Sequence, residues 1–316
     1  MRKKSKLPKA IVLVAPTASG KSDLAIKIAF RLRSGRAKKF GIKGAEIISA
    51  DSRQIYRGMD IGTAKPTQEE MTTVPHHLIN IKNPDQNYTV AEYKRDAIKT
   101  INKILKKKKL PILIGGTGLY IKAIIDNLNI PEVAPDLKLR KKFEKEIEKY
   151  GLKHVFEKLI QLDPEAAYIV DPNNPRRIIR ALEIAIKTKK PFSSQRKIGK
   201  PIFDFIEIGL SRPKKDLYKR INKRVDSMIK AGLTGEVEGL VKKHGAKQQS
   251  FDAIGYREII NYLNKKITLN KAIDLVKKNT RSYAKRQVTW FRKDKKIHWI
   301  RNEKQAEKLI KKFLKK

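Results

Sequence analysis

Short apolar runs alternate with helix-period segments along the first third of the chain. The runs Ala10–Val14, Ala45–Ser49 and Leu110–Ile114 have the length and apolar character of buried strands. Apolar residues recur at helical spacing in Asp23–Phe30 and again in Thr89–Leu105, where Thr89 suits an N-cap. Strands that alternate with helices predict an α/β fold in which a parallel sheet is flanked by helices.

The middle of the chain has a different pattern, because the stretch from Asp136 to about Lys190 is predicted to be helical apart from two breaks. Pro131–Pro135 precedes this stretch, and Gly151 and 171–175 interrupt it. The pattern predicts an all-helical insertion domain within the α/β core. The expected division is 1–131 for the first part of the core, 132–200 for the insertion, and 201–316 for the remainder of the core with a basic helical C-terminal part.

Further segments complete the expected core. Strands are predicted at Leu78–Ile81, at Phe203–Leu210, which returns to the first sheet, and at Lys296–Ile300. Helices are predicted at Leu119–Asp126, Lys214–Ala231, Thr234–His244, Ala253–Leu263, Leu269–Phe291 and Lys304–Leu314. The basic start Met1–Lys9 is predicted to be frayed, and the glycine-containing stretch Ser34–Gly44 to be a surface loop.

The segment Ala15–Ser22, with the sequence APTASGKS, lies between the first predicted strand and the first predicted helix. This setting is that of a phosphate-binding P-loop, in which backbone N–H groups and a helix N-terminus converge on an anion. Lys21 adds a point charge, and the hydroxyl of Ser22 can ligate Mg²⁺. Ala15 stands where the motif has glycine, and it fits if its φ stays below zero. The alternative is a chance GKS in a turn.

Asp51 follows the second predicted strand, at the edge of an α/β sheet that carries ligands. It is a candidate base or metal-facing carboxylate, and equally a candidate N-cap for the next turn. The long irregular stretch Arg53–Pro66 favours a functional loop. His76 and His77 are adjacent at the head of a predicted strand, where side chains point to opposite faces. We therefore favour a structural role for them over joint metal ligation.

The loop Gly115–Gly118 follows the third predicted strand and contains glycine and threonine but no acidic residue. A P-loop ATPase or GTPase usually places an aspartate for Mg²⁺ at the end of a strand. The composition of this loop therefore weakens the interpretation of the chain as an NTPase.

The charge is extreme, with 74 Lys and Arg against 32 Asp and Glu and a formal net charge of +42 in 316 residues. Such a charge favours a polyanionic partner, nucleic acid ahead of an anionic membrane, and a lysine-rich proteome is the alternative. The lack of cysteine excludes disulfides, thiolate catalysis and cysteine zinc sites. No apolar run suits a signal peptide or a transmembrane helix, so we expect a cytoplasmic protein that binds no membrane.

Two basic segments suit contact with nucleic acid. Arg176, Arg177 and Arg180 share one side of a predicted helix beside a proline turn, although a solvated face has the same pattern. In 280–291, basic residues are interleaved with one Tyr, one Trp and one Phe, which suits phosphate contact and base stacking. For the Trp and the Phe, burial in the core is the favoured alternative.

Taken together, these stretches resemble the tRNA dimethylallyltransferase family, the bacterial tRNA isopentenyltransferases. They appear in the order of the family and cover nearly the whole chain, so the series is far more specific than any single motif. The matching stretches are Pro16–Ser22, Asp51–Tyr56, Ile61–Pro66, His76–Leu78, Gly115–Tyr120, Arg176–Glu183, Arg224–Met228, Ala253–Arg257 and Lys285–Gln287.

The resemblance implies transfer of a dimethylallyl group from dimethylallyl diphosphate to N6 of the adenine on the 3′ side of the anticodon in tRNA, with release of diphosphate. The P-loop then holds a prenyl diphosphate rather than ATP, and Mg²⁺ is the implied cofactor, ligated by Ser22. Asp51 is implied to accept the amine proton, and Thr117 to act near the reacting centre. The implied diphosphate ligands are Thr17, Ala18, Ser19, Gly20, Lys21, Ser22 and Arg224.

The resemblance also implies that the partner is the anticodon arm of tRNA, whose target base leaves its stack to enter the domain. The residues implied in tRNA binding are Asp51, Ser52, Arg53, Gln54, Arg140, Arg176, Arg177, Arg180, Arg257, Arg281, Lys285, Arg286 and Gln287. The chain departs from the family at Ala15, where glycine is usual, and at Arg176, where glutamine is usual. We expect a monomer.

Other functions compete with this one. A nucleotide or small-molecule kinase on the same core needs ATP turnover, against which the Gly115–Gly118 loop argues. An adenylate isopentenyltransferase prenylates free nucleotide, whereas the long insertion and the basic C-terminal helix favour tRNA. A non-catalytic RNA-binding protein would carry Lys21, Asp51 and Thr117 together only by coincidence.

Overall fold

The computed structural model describes residues 7–32, 38–131, 133–195 and 197–315. The first residues of the predicted frayed start and the part of the Ser34–Gly44 loop before residue 38 lie outside these ranges. The strands are β1 (Lys9–Val14), β2 (Ala45–Ala50), β3 (His76–His77), β4 (Leu110–Gly115), β5 (Asp204–Leu210) and β6 (His298–Ile300). The α-helices are α1 (Lys21–Arg31), α2 (Gln68–Thr73), α3 (Val90–Lys106), α4 (Gly118–Ile125), α5 (Leu137–Tyr150), α6 (Leu152–Leu162), α7 (Ala166–Ile169), α8 (Pro175–Thr188), α9 (Lys214–Lys230), α10 (Leu233–His244), α11 (Tyr256–Leu263), α12 (Leu269–Arg292) and α13 (Glu303–Lys315).

The strands form one parallel sheet in the order β3-β2-β4-β1-β5-β6. At its centre, Ile11 of β1 pairs with Ile112 of β4 and with Ile206 of β5. A strand buried on both faces reads as a continuous apolar run, which is why β1 and β4 were identifiable from the sequence. This order brings the carboxyl ends of β2, β4 and β1 next to one another at one edge of the sheet.

Helices cover both faces of the sheet, which confirms the predicted α/β class. Leu24 and Ile28 of α1 and Ile310 of α13 pack on one face. Tyr93 of α3 and Tyr120 of α4 pack on the other face, with ring centroids 3.9 Å apart. The predicted cap of α3 is also confirmed, because Thr89 forms a reciprocal capping box at its N-terminus. No helix in the described part of the chain is long and apolar enough to cross a membrane.

The third strand is displaced from its predicted position. His76 and His77 themselves form β3, and the prediction of a strand at Leu78–Ile81 was wrong, because Leu78 and Asn80 have φ of 60° and 57°. The two histidines have separate partners: Nδ1 of His76 lies 2.7 Å from the Val74 carbonyl, and Nε2 of His77 lies 2.7 Å from the Glu46 carboxylate. Each histidine therefore has a structural contact of its own.

Residues 126–201 form a compact helical unit, which begins ahead of the expected boundary at 132. Its core joins α5, α6 and α8 through apolar residues that include Phe143, Leu159 and Leu182. The remaining described residues, 7–125 and 202–315, form the second unit, which contains the sheet. Helix α11 begins at Tyr256, because Gln249–Asp252 forms a 3₁₀ turn before it.

Candidate active site

A cavity of about 340 Å³ opens at the carboxyl edge of the sheet, within the unit that contains the sheet. Its polar lining is drawn mainly from the loops after β1 and β2 and from α1, α9 and α12, and it includes Thr17, Lys21, Ser22, Ser49, Asp51, Ser52, Arg53, Gln54, Thr63, His76, Arg224, Asp252, Thr280, Tyr283, Arg286 and Gln287. Its apolar lining includes Ile221, Val225, Met228, Ile254 and Val276. The cavity is thus polar and charged near the strand ends, with an apolar wall contributed largely by α9.

The loop Ala15–Ser22 joins β1 to α1 in a conformation that local sequence makes possible. Gly20 is the N-cap of α1 with φ of 90°, and Ala18 also lies in the left-handed region with φ of 61°. Ala15 is fully buried and has no such φ, so the condition for alanine at this position is met. The loop therefore presents the N-terminus of a helix, with its orphan N–H groups, to the edge of the sheet.

Two arginines hold this loop from outside it. Arg212, which follows β5, donates from Nε to the Ser19 carbonyl, and Arg220 of α9 donates from Nε to the Ala18 carbonyl at 2.8 Å. A non-glycine residue at positive φ costs about 1 kcal/mol or more, and such contacts keep it there. Sequence analysis assigned no role to either arginine, since their partners lie about two hundred residues away along the chain.

Lys21 and Arg224 bring two positive charges into the cavity. Burial lowers the pKa of Lys21 to about 8; the carboxylate of Asp51 opposes that shift and the nearby Arg224 adds to it. Burial likewise lowers the pKa of Arg224, against the attraction of Asp51 and Asp23. The site thus favours a bound anion, which would relieve the cost of holding two cations together.

Asp51 has one oxygen committed to the backbone. Its Oδ1 accepts hydrogen bonds from the N–H of Arg53 at 2.8 Å and of Gln54 at 3.4 Å. Oδ1 therefore caps the turn, as one interpretation of Asp51 predicted, and Oδ2 takes no part in these two hydrogen bonds. Because the carboxylate also lines the cavity, both interpretations of Asp51 are compatible with the structure.

Thr117 lies behind the cavity-lining residues and contacts two of them. Its Oγ1 accepts from the N–H of Ser52 at 3.1 Å and shares a hydrogen bond with the Tyr283 hydroxyl. Burial, with Asp51 nearby, raises the pKa of Tyr283 to about 12, so its hydroxyl is protonated at neutral pH. Tyr283 is a further site residue, and only its place in the aromatic-basic segment 280–291 drew attention to it.

Gln287 and Gln54 have internal roles that differ from the implied contact with RNA. Gln287 is 5% exposed; its Oε1 accepts from the N–H of Thr17 at 2.8 Å, and its Nε2 donates to the Gly116 carbonyl at 2.9 Å. A Cβ on Gly116 would overlap with the Gln287 amide, so glycine is needed there for close approach. Gln54 accepts from the Ser49 hydroxyl at 2.9 Å and donates to the Ala64 carbonyl at 3.2 Å. Both amides therefore bridge elements of the site, and their implied contact with RNA stays a prediction.

The comparisons with known proteins give the family. The sequence profile of the IPP transferase family matches residues 54–294, which is most of the chain. The chain belongs to this family. A relative named tRNA dimethylallyltransferase, from Acetivibrio thermocellus, is 45% identical over 307 residues, which is 95% of each chain.

Solved structures agree with this membership. The tRNA isopentenylpyrophosphate transferase of Bacillus halodurans is 39% identical and covers 98% of this chain and 97% of its own, with a TM-score of 0.71. A eukaryotic dimethylallyltransferase described as acting on tRNA is 29% identical over 90% of this chain and 70% of its own, with a TM-score of 0.69. The α/β architecture of this chain is therefore that of solved IPP transferases.

Within this IPP transferase, the other residues implied in RNA binding are distributed over both units. In the unit with the sheet, Lys285, Arg286 and Arg257 are exposed. Arg53 donates to the carbonyls of Gln249 and Ser250, at 3.0 and 3.1 Å. Arg281 donates to the Asn222 side chain at 2.7 Å, and the Arg286 guanidinium lies 5.8 Å from the centroid of the Tyr283 ring.

The arginines of the helical unit divide into two groups. Arg140 and Arg180 both pair with Glu183, which is fully buried, and Arg140 does so with Nε at 2.9 Å and Nη2 at 2.8 Å. Burial opposes the charge on Glu183, but its hydrogen bonds with Arg140, the Asp136 N–H and Arg180 lower its pKa. Arg176 and Arg177 are exposed. Arg180 therefore neutralises a buried carboxylate inside the helical unit, and its implied contact with RNA stays a prediction.

Anion binding should depend on the protonation of Lys21. A bound anion favours the charged amine, so the affinity for inorganic diphosphate in wild-type protein, relative to Lys21→Met, should fall as pH rises through about 8. The decrease should approach about tenfold per pH unit until the bound form also loses its proton. Calorimetric titration of both proteins from about pH 6.5 to about pH 9.5 measures the two affinities. Taking their ratio removes the effect of the ionisation of diphosphate itself, which is the same in both titrations. A ratio that does not change with pH would show that Lys21 does not meet the anion.

Proposed function

We propose that this IPP transferase moves a dimethylallyl group from dimethylallyl diphosphate to N6 of the adenine on the 3′ side of the anticodon in tRNA. The observation that carries the proposal is the grouping of Lys21, Arg224 and Asp51 in one cavity with an apolar wall. Two cations suit a diphosphate, the apolar wall suits a prenyl chain, and the carboxylate suits proton transfer. The names of the relatives support the same reaction.

The diphosphate of the donor binds at the loop Thr17–Ser22 and at Arg224. Orphan N–H groups at the start of α1 point toward an anion there, and Lys21 and Arg224 supply charge. Ser19 Oγ is buried without a hydrogen-bond partner among the described residues, which makes it a further donor in this loop. The loop after β4 offers glycine and threonine in place of a metal-binding carboxylate, which disfavours a kinase on this core.

Mg²⁺ fits this site only together with the donor. In the described ranges, no cluster of three or more His, Asp or Glu side chains could hold a metal by itself. Ser22 lines the cavity, where its hydroxyl would hold Mg²⁺ together with phosphate oxygens of the donor. When bound, it supplies neutralisation of the charge that develops on the departing diphosphate.

Asp51 accepts the proton of the adenine amine. The new bond joins N6 to the allylic carbon, the bond from that carbon to the diphosphate oxygen breaks, and diphosphate leaves with the electron pair. Positive charge develops on N6 as the bond forms, and a carboxylate within hydrogen-bond reach takes the proton. Oδ1 is held by the turn at Arg53, so the orientation of the carboxylate is fixed before substrate arrives. Thr117, which contacts Ser52 and Tyr283, stabilises the loop next to Asp51.

The function is tested by incubating the protein with dimethylallyl diphosphate labelled in the allyl group and bulk tRNA, followed by digestion to nucleosides. We expect label in N6-dimethylallyladenosine from tRNA, dependent on Mg²⁺. Label in free adenine nucleotide alone would instead favour an adenylate isopentenyltransferase. Release of phosphate from ATP without RNA would favour a kinase.

Asp51→Asn should slow the chemical step while leaving binding nearly unchanged. The asparagine oxygen can still accept from the N–H groups of Arg53 and Gln54, but the base is lost. A loss of about 10²–10⁴-fold in the single-turnover rate is expected, as for other general bases. Rapid quench with saturating tRNA and donor measures it, and fluorescence titrations give the two affinities. A wild-type rate would overturn the assignment, and a loss of thermal stability with a normal rate would leave Asp51 as a cap alone.

Arg177 and Arg180 should behave differently when each is replaced by alanine. A phosphate contact releases counterions, so Arg177→Ala should lower the slope of log affinity for tRNA against log salt by about one unit. Arg180→Ala removes a partner of buried Glu183 and should destabilise the helical unit by about 1–2 kcal/mol. Filter binding from about 50 to about 300 mM KCl measures the salt dependence of tRNA affinity. Urea unfolding measures the loss of stability. Equal salt slopes for wild type and Arg177→Ala would show that Arg177 is only solvated.

A further inference from the structure

The segment Asp60–Pro66 forms one wall of the cavity without being a helix or a strand. Gly62, Thr63, Ala64 and Pro66 line the cavity, and Ala64 has φ of 45°. A loop with strained backbone keeps one shape only if its surroundings impose that shape. The source of that constraint determines what the wall does.

Glu236 constrains the first half of this segment. This residue lies in the first turn of α10, and its carboxylate accepts hydrogen bonds from the N–H groups of Asp60 at 2.9 Å, Ile61 at 2.7 Å and Gly62 at 3.1 Å. The hydroxyl of Tyr256 donates to the same carboxylate at 2.6 Å. The ring of Tyr256 also packs so closely on Gly62 that a Cβ there would overlap with it. Glu236 does not line the cavity, so it acts on the wall from behind.

Several other polar groups of the wall also have partners within the protein. Lys65 donates from Nζ to the side chains of Asp60 and Asn80, each at 2.6 Å. The Thr63 hydroxyl donates to the Met59 carbonyl at 2.6 Å, and the carbonyls of Thr63 and Ala64 accept from Gln54. With these side chains engaged inside the protein, the glycine, alanine and proline of the wall offer the cavity shape and van der Waals contact. Such a surface suits the face of a flat aromatic ring.

The position of the wall distinguishes it from the donor site. Gln54 follows β2 and Asn80 follows β3, so the wall is fastened to the β2–β3 side of the sheet. The loop Ala15–Ser22 follows β1, and β4 lies between β1 and β2. Asp51 stands at the end of β2, between these two parts of the cavity. The base that meets Asp51 therefore enters from the side of the wall, opposite the diphosphate.

We propose that Glu236 is a positioning residue for the acceptor base, which it serves by holding the wall Asp60–Pro66 against the face of the target adenine. This inference rests on the proposed function, since it takes the acceptor to be a purine. An amide in place of the carboxylate turns an N–H group toward the backbone N–H groups of the wall. The wall then moves, and the amine loses its alignment with the allylic carbon and Asp51. A misplacement of about 1 Å can reduce a rate by about 10²-fold.

The test compares Glu236→Gln with wild type in single-turnover prenylation of tRNA at saturating donor and tRNA. We expect the rate to fall about 10–100-fold. The affinities for inorganic diphosphate and tRNA should stay within about threefold, because the P-loop and the basic surfaces are unaffected. Glu238→Gln is the matched control: Glu238 lies on the same helix and is exposed, so this variant should keep the wild-type rate.

Tyr256→Phe is a second variant that keeps the test informative if Glu236→Gln fails to fold. It removes one hydrogen bond to Glu236 and keeps the ring behind Gly62, so it should show the same pattern with a smaller loss of rate. A wild-type rate in Glu236→Gln, or in Tyr256→Phe where the first variant does not fold, would overturn the inference. Equal losses of rate and of diphosphate affinity would also overturn it, because the wall would then serve the whole cavity. Wild-type protein that prenylates no tRNA would refute the proposed function instead.

Discussion

Two neighbouring, partly buried cations at one edge of the sheet are the constraint on which the site depends. Lys21 and Arg224 lie close enough for Arg224 to lower the pKa of Lys21, and Asp51 opposes the effect on both. Burying like charges together is unfavourable unless other groups compensate. In the proposed function, the diphosphate of the donor supplies negative charge that offsets these two cations.

The loops around these charges are held by side chains that are remote in the sequence. Gln287 connects the N–H of Thr17 to the carbonyl of Gly116 and so fixes the loop after β1 relative to the loop after β4. Arg212 and Arg220 hold two carbonyls of the first loop from another side. All of these bonds join groups of the protein itself. Groups fixed in advance need little reorganisation during reaction, and such preorganisation is the usual source of electrostatic catalysis.

The sequence predicted the features that depend on local pattern. Strands buried on both faces are continuous apolar runs, and the cap at Thr89 is a local signal, so both were placed correctly. The strand at Leu78–Ile81 was misplaced, because apolar character does not reveal the positive φ of Leu78 and Asn80. Local pattern therefore placed elements better than it placed their irregular connections.

Side-chain partners far apart in sequence were not predictable in this way. Gln287 lies 270 residues from Thr17, and its family motif gives no sign that both ends of its amide are used internally. Arg180 stands beside exposed arginines on one helix, yet it faces the buried carboxylate of Glu183. The spacing of the arginines predicted that they share one side of the helix, but it did not predict how buried each side chain is. The family resemblance identified these residues as candidates. Only the structure showed which side chains have partners inside the protein and which are exposed to solvent.

In the proposed reaction, Asp51 combines a structural role with a chemical role in one side chain. A carboxylate has two oxygens with about four lone-pair sites, and the turn after β2 uses Oδ1 alone. The hydrogen bonds at Oδ1 fix the plane of the carboxylate relative to the strand, and therefore fix the direction in which Oδ2 can accept a proton. The contacts that cap the turn therefore also orient the oxygen that is proposed to accept the proton. The sequence could place Asp51 at the strand end, but the division of labour between its oxygens depends on the shape of the turn.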